Sequence, residues 1–478
     1  MAKNKKEMTP EERLAAALVP EKEWPYALPD GWKWVRLGKI YEVNPKIQAD
    51  DNIEASFITM SDICPGIKSQ FDFSIKKWGE IKKGHTQFAN GDVAFAKISP
   101  CFENRKSMIL DGLKNGIGAG TTELIVLRNP QIDNNYTFLF ISSEEFIRHA
   151  RNTYKGVVGQ QRINLDFVKN YPMPLPPLSE QHRLVARIES LFAKLDAAKA
   201  KVQAVLDAHE TRKAALLDEA FRGKLTETLD ETSTAEDFLD EIYAVKEQLV
   251  KEKKLKKPKR LPSMTDEEKP FEIPNTWRWV RFGDILRIIN GDRGKNYPSK
   301  KELHEAGDIP FISALNIQDN TIATEHLLYV DEERYNLRRS GKLKKGDLVL
   351  CIRGSLGKNG RYPFDRGAIA SSLVIIRSYL DNDAMSDYIS FYLDSLLFKN
   401  EMSKYDNGTA QPNLGAGDLS LFAVPLPPLA EQHEIVAILD RLLGREEEVR
   451  QSAESVLAAI DGMKQSILAR AFRGELGA

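Results

Sequence analysis

The residues of this chain best suited to chemistry are cations gathered in two clusters. Arg334, Arg338, Arg339, Lys342, Lys344, Lys345, Arg353, Lys358 and Arg361 surround one acid, Asp347. Lys76, Lys77, Lys82, Lys83, Lys97, Arg105, Lys106 and Lys114 form a sparser set earlier in the chain. Cations grouped in this way neutralise phosphates, while Arg, Asn, Ser and Thr in flanking loops hydrogen-bond to base edges. Lys97, Arg105, Lys106, Arg353, Lys358 and Arg361 are the candidate DNA-contacting residues. The competing reading is a solvated charged face.

Other chemistry finds no motif. The sequence has no GxxxxGK[ST] loop for nucleotide phosphates and no HExxH zinc helix. It has no Asn/Asp-Pro-Pro-Tyr/Phe tetrapeptide to hold a target base: Asn44-Pro45 and Asn129-Pro130 continue with Lys and Gln. "GIGAG" from Gly116 falls short of GxGxxG and reads as a glycine turn. His182 and His433 sit just after helix starts without a nucleophile nearby, which predicts a solvated or capping role. No catalytic or metal-ligating residue is predicted, and binding is the expected activity.

Composition narrows the class further. The chain has 478 residues, 42 % hydrophobic and 29 % charged, with a formal net charge of −1. These values describe a folded, water-soluble protein of several domains, and any basic surface on it must be local. Cys64, Cys101 and Cys351 are widely separated and form no CxxC pair, which fits a reducing compartment. The first 24 residues begin basic but lack a signal-peptide apolar core, and no run approaches the roughly 18–20 apolar residues of a membrane span. A cytoplasmic location, without a membrane partner, is expected.

The elements that position the cations come in two copies. "PLPPLSEQH" from Pro174 returns as "PLPPLAEQH" from Pro425, 251 residues later. At the same offset "KAALLDEAFRGKL" from Lys213 meets "KQSILARAFRGEL" from Lys464. Upstream, "LPDGWKWVRLGKI" from Leu28 matches "IPNTWRWVRFGDI" from Ile273, and "NGDVAFAKIS" and "TTELIVLR" face "KGDLVLCIRG" and "SSLVIIR". Two long repeats mean a duplicated domain pair, because solenoids use many units of about 20–50 residues. Each body reads as α+β, with short strands at "DVAFAKI", "LIVLR", "DLVLCIR" and "SLVIIR" and short helices around "SEEFIRHARN" and "MSDYISFYLDSLLF".

After each Pro-Pro the pattern turns helical. The prolines stiffen the exit from the body, and Ser179 reads as an N-cap with Glu180 in the first turn. A 3.5-residue period then runs through Leu184, Ile188, Leu191, Leu195, Ala198, Val202, Val205, His209, Arg212 and Leu216 in the first copy. It runs through Ile435, Leu439, Leu442, Glu446, Val449, Ala453, Val456, Ile460, Met463 and Ile467 in the second, with polar interruptions in each. Two matching seams in one chain predict a coiled coil between them; the alternative is two amphipathic helices packed on their own bodies. "KEKKLKKPKR" from Lys251 reads as a solvated helix end and linker.

This order of "GWKWVRLG", "PLPPLSEQH", "AFRGKL", then "NTWRWVRFG", "PLPPLAEQH", "AFRGEL" resembles the specificity subunits of type I restriction–modification enzymes, over nearly the whole chain after Trp24. The resemblance implies two tandem α/β target-recognition domains separated by two long helices in an antiparallel coiled coil, pseudo-two-fold symmetric and α+β overall. The boundaries then fall at 1–24 (N-terminal extension), 25–178 (first recognition domain), 179–255 (central helix), 256–271 (basic linker), 272–429 (second recognition domain) and 430–478 (C-terminal helix). It implies a non-catalytic subunit that reads a bipartite duplex DNA target. Two methyltransferase subunits would dock on the helices and methylate adenine with S-adenosylmethionine, and motor/nuclease subunits would use ATP and Mg. The chain itself would bind no cofactor. A coiled-coil scaffold that does not read DNA, or a subunit of a methylation-only system, are the alternatives. The partner-binding residues would be Leu184, Ile188, Leu191, Leu195, Ile435, Leu439, Leu442 and Val449.

Overall fold

The computed structural model describes residues 9–157, 159–226, 233–294, 297–318, 320–380, 383–405 and 413–476. The basic start of the expected N-terminal extension, the last two residues of the expected C-terminal helix and residues 227–232 lie outside these. The chain divides into two compact units, Met1–Ala204 with Ala453–Ala478, and Val205–Ser452. Each unit therefore holds one body, part of one long helix and part of the other.

In the first unit a four-stranded sheet of Glu42–Val43, Leu124–Arg128, Val93–Ala96 and Ser107–Ile109 accompanies a second of Ser74–Lys77, Glu54–Ile58, Ile117–Gly120 and Thr86–Ala89. The β-rich runs read from sequence are central strands here, because their apolar residues are buried on both faces. "GIGAG" is not a simple turn. Only Gly116 turns, with φ +74°, while Ile117–Gly120 is a strand. Gly118 is there for packing: a Cβ on it would lie 2.4 Å from the Phe88 ring.

The second unit repeats the plan with a six-stranded sheet, Leu286–Asn290, Leu373–Ser378, Leu348–Cys351, Asn359–Arg361, Thr321–Ile322 and Ile317–Gln318. A four-stranded sheet of Leu328–Tyr329, Pro310–Ile312, Gly367–Ile369 and Lys342–Leu343 completes it. The run "MSDYISFYLDSLLF" forms two helices, Asp383–Asp394 and Leu396–Ser403, because Ser395 caps the second through the Phe398 N–H.

The repeated anchors are the joints of this frame. In the first body Arg128 donates twice to the buried Asp92 carboxylate, at 2.7 and 2.7 Å. In the second, Arg377 grips the buried Asp347 at 2.6 and 2.6 Å. A bidentate pair of this kind fixes two strands in register, and stripping one partner from a buried pair costs about 3–5 kcal/mol. The tryptophan segment of each body pairs with its proline segment: Lys33–Arg36 runs antiparallel to Pro172–Leu175, and Arg278–Arg281 to Ala423–Leu426. "PLPP" is thus the end of a two-stranded ribbon as well as a stiff exit, a place where proline's missing N–H is tolerated. Tyr136 and Tyr388 each donate a 2.6 Å hydrogen bond to the carbonyl of the matching proline, Pro174 or Pro425.

The long helices start one residue before Ser179 and Ala430, at Leu178 and Leu429. The Pro177 and Pro428 carbonyls accept from Gln181 and Gln432 at 3.0 Å, so Ser179 lies inside the first turn and is not the cap. That explains why alanine serves equally well in the second copy. Among the described residues, the segment expected as one helix over 179–255 forms three: Leu178–Asp207, His209–Phe221 and Ala235–Lys251. The second of these ends at Gly223, with φ +67°, where the Lys224 N–H returns to the Glu219 carbonyl and the Gly223 N–H to that of Ala220.

Both readings of the helices hold, each over part of their length. Leu184 and Ile188 are buried in the core of the first body, and Ile435 and Leu439 in that of the second. Beyond these starts the helices pair antiparallel. Lys199 meets Asp461 at 3.4 Å and Lys464 meets Asp196 at 2.6 Å in the first unit. Arg212 meets Glu446 at 2.9 Å in the second.

The predicted seam needs correction along its second half. Val449, Val456 and Met463 are 43 %, 45 % and 51 % exposed, and Val205 is 39 % exposed. Ala453, Ile460, Leu468 and Ala471 are buried, the 3.6-residue period of a straight helix. Lys464 takes the place expected of Met463, its ammonium 5.1 Å from the Phe192 ring centre. Leu191, Leu195 and Leu442 are half-buried.

Candidate nucleic-acid interface

The same inter-strand turn carries most of the candidate cations in each body. In the first, residues 97–106 link the strands Val93–Ala96 and Ser107–Ile109 and hold Lys97, Arg105 and Lys106. In the second, residues 352–358 link Leu348–Cys351 to Asn359–Arg361 and hold Arg353 and Lys358. The Asp–Arg pairs lie at the other end of these strands, so the frame sets where each turn begins.

A second loop lies against each turn. In the first body the hairpin around Lys155–Arg162 joins through Ser99 N–H to the Gln161 carbonyl at 2.8 Å and Ile163 N–H to the Lys97 carbonyl at 3.0 Å. In the second, Leu414 N–H reaches the Ile352 carbonyl at 2.9 Å, and Arg353 bridges to Asn413. Turn and neighbouring loop thus make a rim of polar groups on one end of each body.

The candidates differ in how free their charges are. Lys97 is half-buried and Lys358 exposed, and neither side chain is ion-paired among the described residues. Arg353 donates from Nε to Asn413 Oδ1 at 2.7 Å, a neutral partner, and its charge has no ion pair among the described residues. The other three are held by the fold. Arg105 pairs with Glu144 and donates to the Ser142 carbonyl at 3.0 Å. Lys106 donates to the Met60 carbonyl at 2.7 Å. Arg361, on a strand and not a turn, sits between Asp387 and Asp383, the latter at 2.7 Å.

Several cations of the wider clusters are also committed. Lys82 pairs with Asp51, Lys114 with Glu54 at 3.1 Å, and Arg334 with Glu302. Arg338 is buried over Phe311 and donates to the Ile369 carbonyl at 2.6 Å; burial pushes its pKa down. Lys76 and Lys77 stand on a strand whose four residues are all exposed, and Lys345 is exposed beside the buried Asp347. The hairpin amides Gln160 and Gln161 went unnoticed in the sequence. A glycine-flanked amide run, "GVVGQQ", was the available signal, since such side chains read base edges. His182 is 60 % exposed and 3.5 Å from Asp133, a solvated residue. Among the described residues no cluster of His, Cys, Asp or Glu has metal-binding geometry, and no helix is long and apolar enough to cross a membrane.

A family model described as the type I restriction modification DNA specificity domain matches residues 29–207 and again 274–454. The chain belongs to this family. It is 32 % identical to the type I restriction enzyme EcoAI specificity subunit of Escherichia coli, covering 89 % of this chain and 80 % of that one. To the EcoEI specificity subunit of the same organism it is 34 % identical, over 88 % of this chain and 79 % of that one. Among solved structures, the HsdS subunit from Thermoanaerobacter tengcongensis superposes with a TM-score of 0.64 at 21 % identity, covering 95 % of this chain and 100 % of that one. A chain from a study of complex assembly and conformational transition in a type I R-M system gives 0.68 at 21 % identity, over 94 % and 100 %. Both superpositions extend over the two bodies and the helices. The duplication noticed in the sequence is this family's tandem domain.

Proposed function

We propose that this chain is the specificity subunit of a type I restriction–modification complex, and that each body reads one half of a split duplex DNA target. It has no chemical step of its own. Two methyltransferase subunits supply adenine methylation from S-adenosylmethionine, and motor/nuclease subunits supply ATP- and Mg-dependent restriction in the cytoplasm. The observation that carries the reading is one frame repeated with unlike turns. The Asp–Arg pair, the tyrosine-to-proline hydrogen bond and the ribbon recur in both units, whereas residues 97–106 and 352–358 share almost nothing. A scaffold would need the frame and the helices, but would have no use for two different polar rims.

Within the rims, Lys97, Arg353 and Lys358 serve as phosphate contacts, and Gln160, Gln161 and Asn413 as groups that can reach bases. Arg105, Lys106 and Arg361 shape the turns and strands from which those groups project. The helix pair is the docking surface for the methyltransferase subunits, with Leu191, Leu195 and Leu442 as its half-buried apolar part.

Incubating the purified chain with DNA and S-adenosylmethionine, with and without its methyltransferase partner, tests the reading. Adenine methylation is expected only with both proteins present. Methyl transfer by the chain alone, or methylation by the partner without this chain, would refute it.

A further inference from the structure

The second unit contains a cleft of about 1170 Å³ that neither the rims nor the helix pair uses. One wall is the helix Ala235–Lys251. Phe238, Leu239 and Ile242 fix its first half in the core, while its second half overhangs the cleft with Tyr243, Lys246 and Val250. Leu286, Ile288, Tyr379 and Leu421 form an apolar floor. The opposite rim is the strap that follows the helix, where Lys257, Lys259 and Arg260 are all exposed. None of these three is ion-paired among the described residues, and Pro258 between them restricts the backbone.

Inside the cleft Lys246 is half-buried. It donates to the Asp284 carbonyl at 2.9 Å and lies 5.0 Å from the Tyr379 ring centre. Burial lowers its pKa and raises that of the Asp284 carboxyl, as a desolvated environment should. The cleft thus combines an apolar floor with an edge of mostly cations, Glu247 on the helix wall being an exposed acid of its lining.

We propose that this cleft docks an acidic, apolar-anchored segment of a partner protein. Carboxylates pair with Lys257, Lys259 and Arg260, and an apolar side chain fills the floor between Tyr379 and Leu286. A DNA backbone would satisfy the strap but would set phosphates against leucine, isoleucine and tyrosine, a costly desolvation without compensation. A polypeptide satisfies both parts, and charge complementarity on the rim adds selectivity and speed of association. The partner is another subunit of the complex, so the inference rests on the proposed function for its partner but not on how DNA is read.

The test uses the full chain assembled with its methyltransferase and motor subunits. Benzoylphenylalanine in place of Tyr243, irradiated in the complex, should cross-link to an acid-rich segment of one subunit. Separately, K257E/K259E/R260E should weaken assembly with that subunit about tenfold or more at low salt, with the difference shrinking as salt rises. The exposed substitutions should leave the melting temperature and the methylated DNA sequence unchanged. Cross-linking to DNA, to a segment without acidic residues or to nothing would overturn the proposal, as would unaltered assembly by the triple variant. A complex that assembles and cross-links as expected but methylates no defined sequence would refute the DNA-reading function and leave the docking site standing.

Discussion

Gly474 lies flat against Pro29: a Cβ built on the glycine would sit 2.2 Å from the proline Cγ, and its φ is +73°. Gly223 meets Pro274 in the same way, at 2.5 Å with φ +67°. Each "AFRG" therefore ends a helix on the proline that precedes a tryptophan anchor.

Gly474→Ala and Gly223→Ala should each destabilise the protein by about 1–3 kcal/mol, through strain at positive φ and collision with proline. Gly444→Ala should act in the opposite direction. That glycine lies inside a helix with open space where a Cβ would go, so alanine should stabilise by about 0.5–1 kcal/mol. Urea unfolding of the full chain, followed by tryptophan fluorescence, separates the signs. Unchanged or raised stability in Gly474→Ala and Gly223→Ala would mean that the helix ends do not dock as described, and destabilisation by Gly444→Ala would contradict the open space at that position.

The helix seam gives a second contrast. Ile460→Ala should cost about 2–5 kcal/mol, because the side chain is 2 % exposed. Val456→Ala, one turn earlier on a face that is 45 % exposed, should stay within about 0.5 kcal/mol. Equal losses at both sites, measured in the same denaturation assay, would restore the 3.5-residue phase.

A third contrast concerns charge. Arg353→Ala with Lys358→Ala should weaken binding to all DNA sequences and reduce the salt slope by about 0.9 for each phosphate no longer neutralised. Arg361→Ala should leave the slope alone, since Asp383 and Asp387 already neutralise the guanidinium. Its cost should appear in stability, as two carboxylates lose their shared partner. Gel-shift titrations over a salt series, with the methyltransferase partner present, read both effects. A flattened slope from Arg361→Ala, with an unchanged slope in the double variant, would place the phosphate-binding cation on the strand and not on the turn.

Much of the frame was legible because it is built from repeated local words. "GD" and "LR" or "IR" marked strands, and the structure shows that their Asp and Arg hold each other. The seam holds at Ala453 and Ile460 but fails at Val449, Val456 and Met463, which happen to continue a heptad in apolar residues. The buried face there includes Lys464, whose aliphatic stem and ring contact do what an apolar residue would. Which cations are free could not be read at all. The acids that hold Arg361 come from a helix beyond two further strands, and the partner of Arg105 lies 39 residues on. Pairing is set by tertiary contact, while a charge run in sequence looks the same whether it is paired or open.

The most direct test of the two-reader account exchanges one body. Residues 25–172 are replaced by the corresponding body of another member of the family, and methylated adenines are mapped across the genome of cells expressing the chimera with its methyltransferase partner. The account predicts that one half of the methylated sequence is replaced and the other half is retained. A folded, active chimera that changes both halves, or neither, would contradict it.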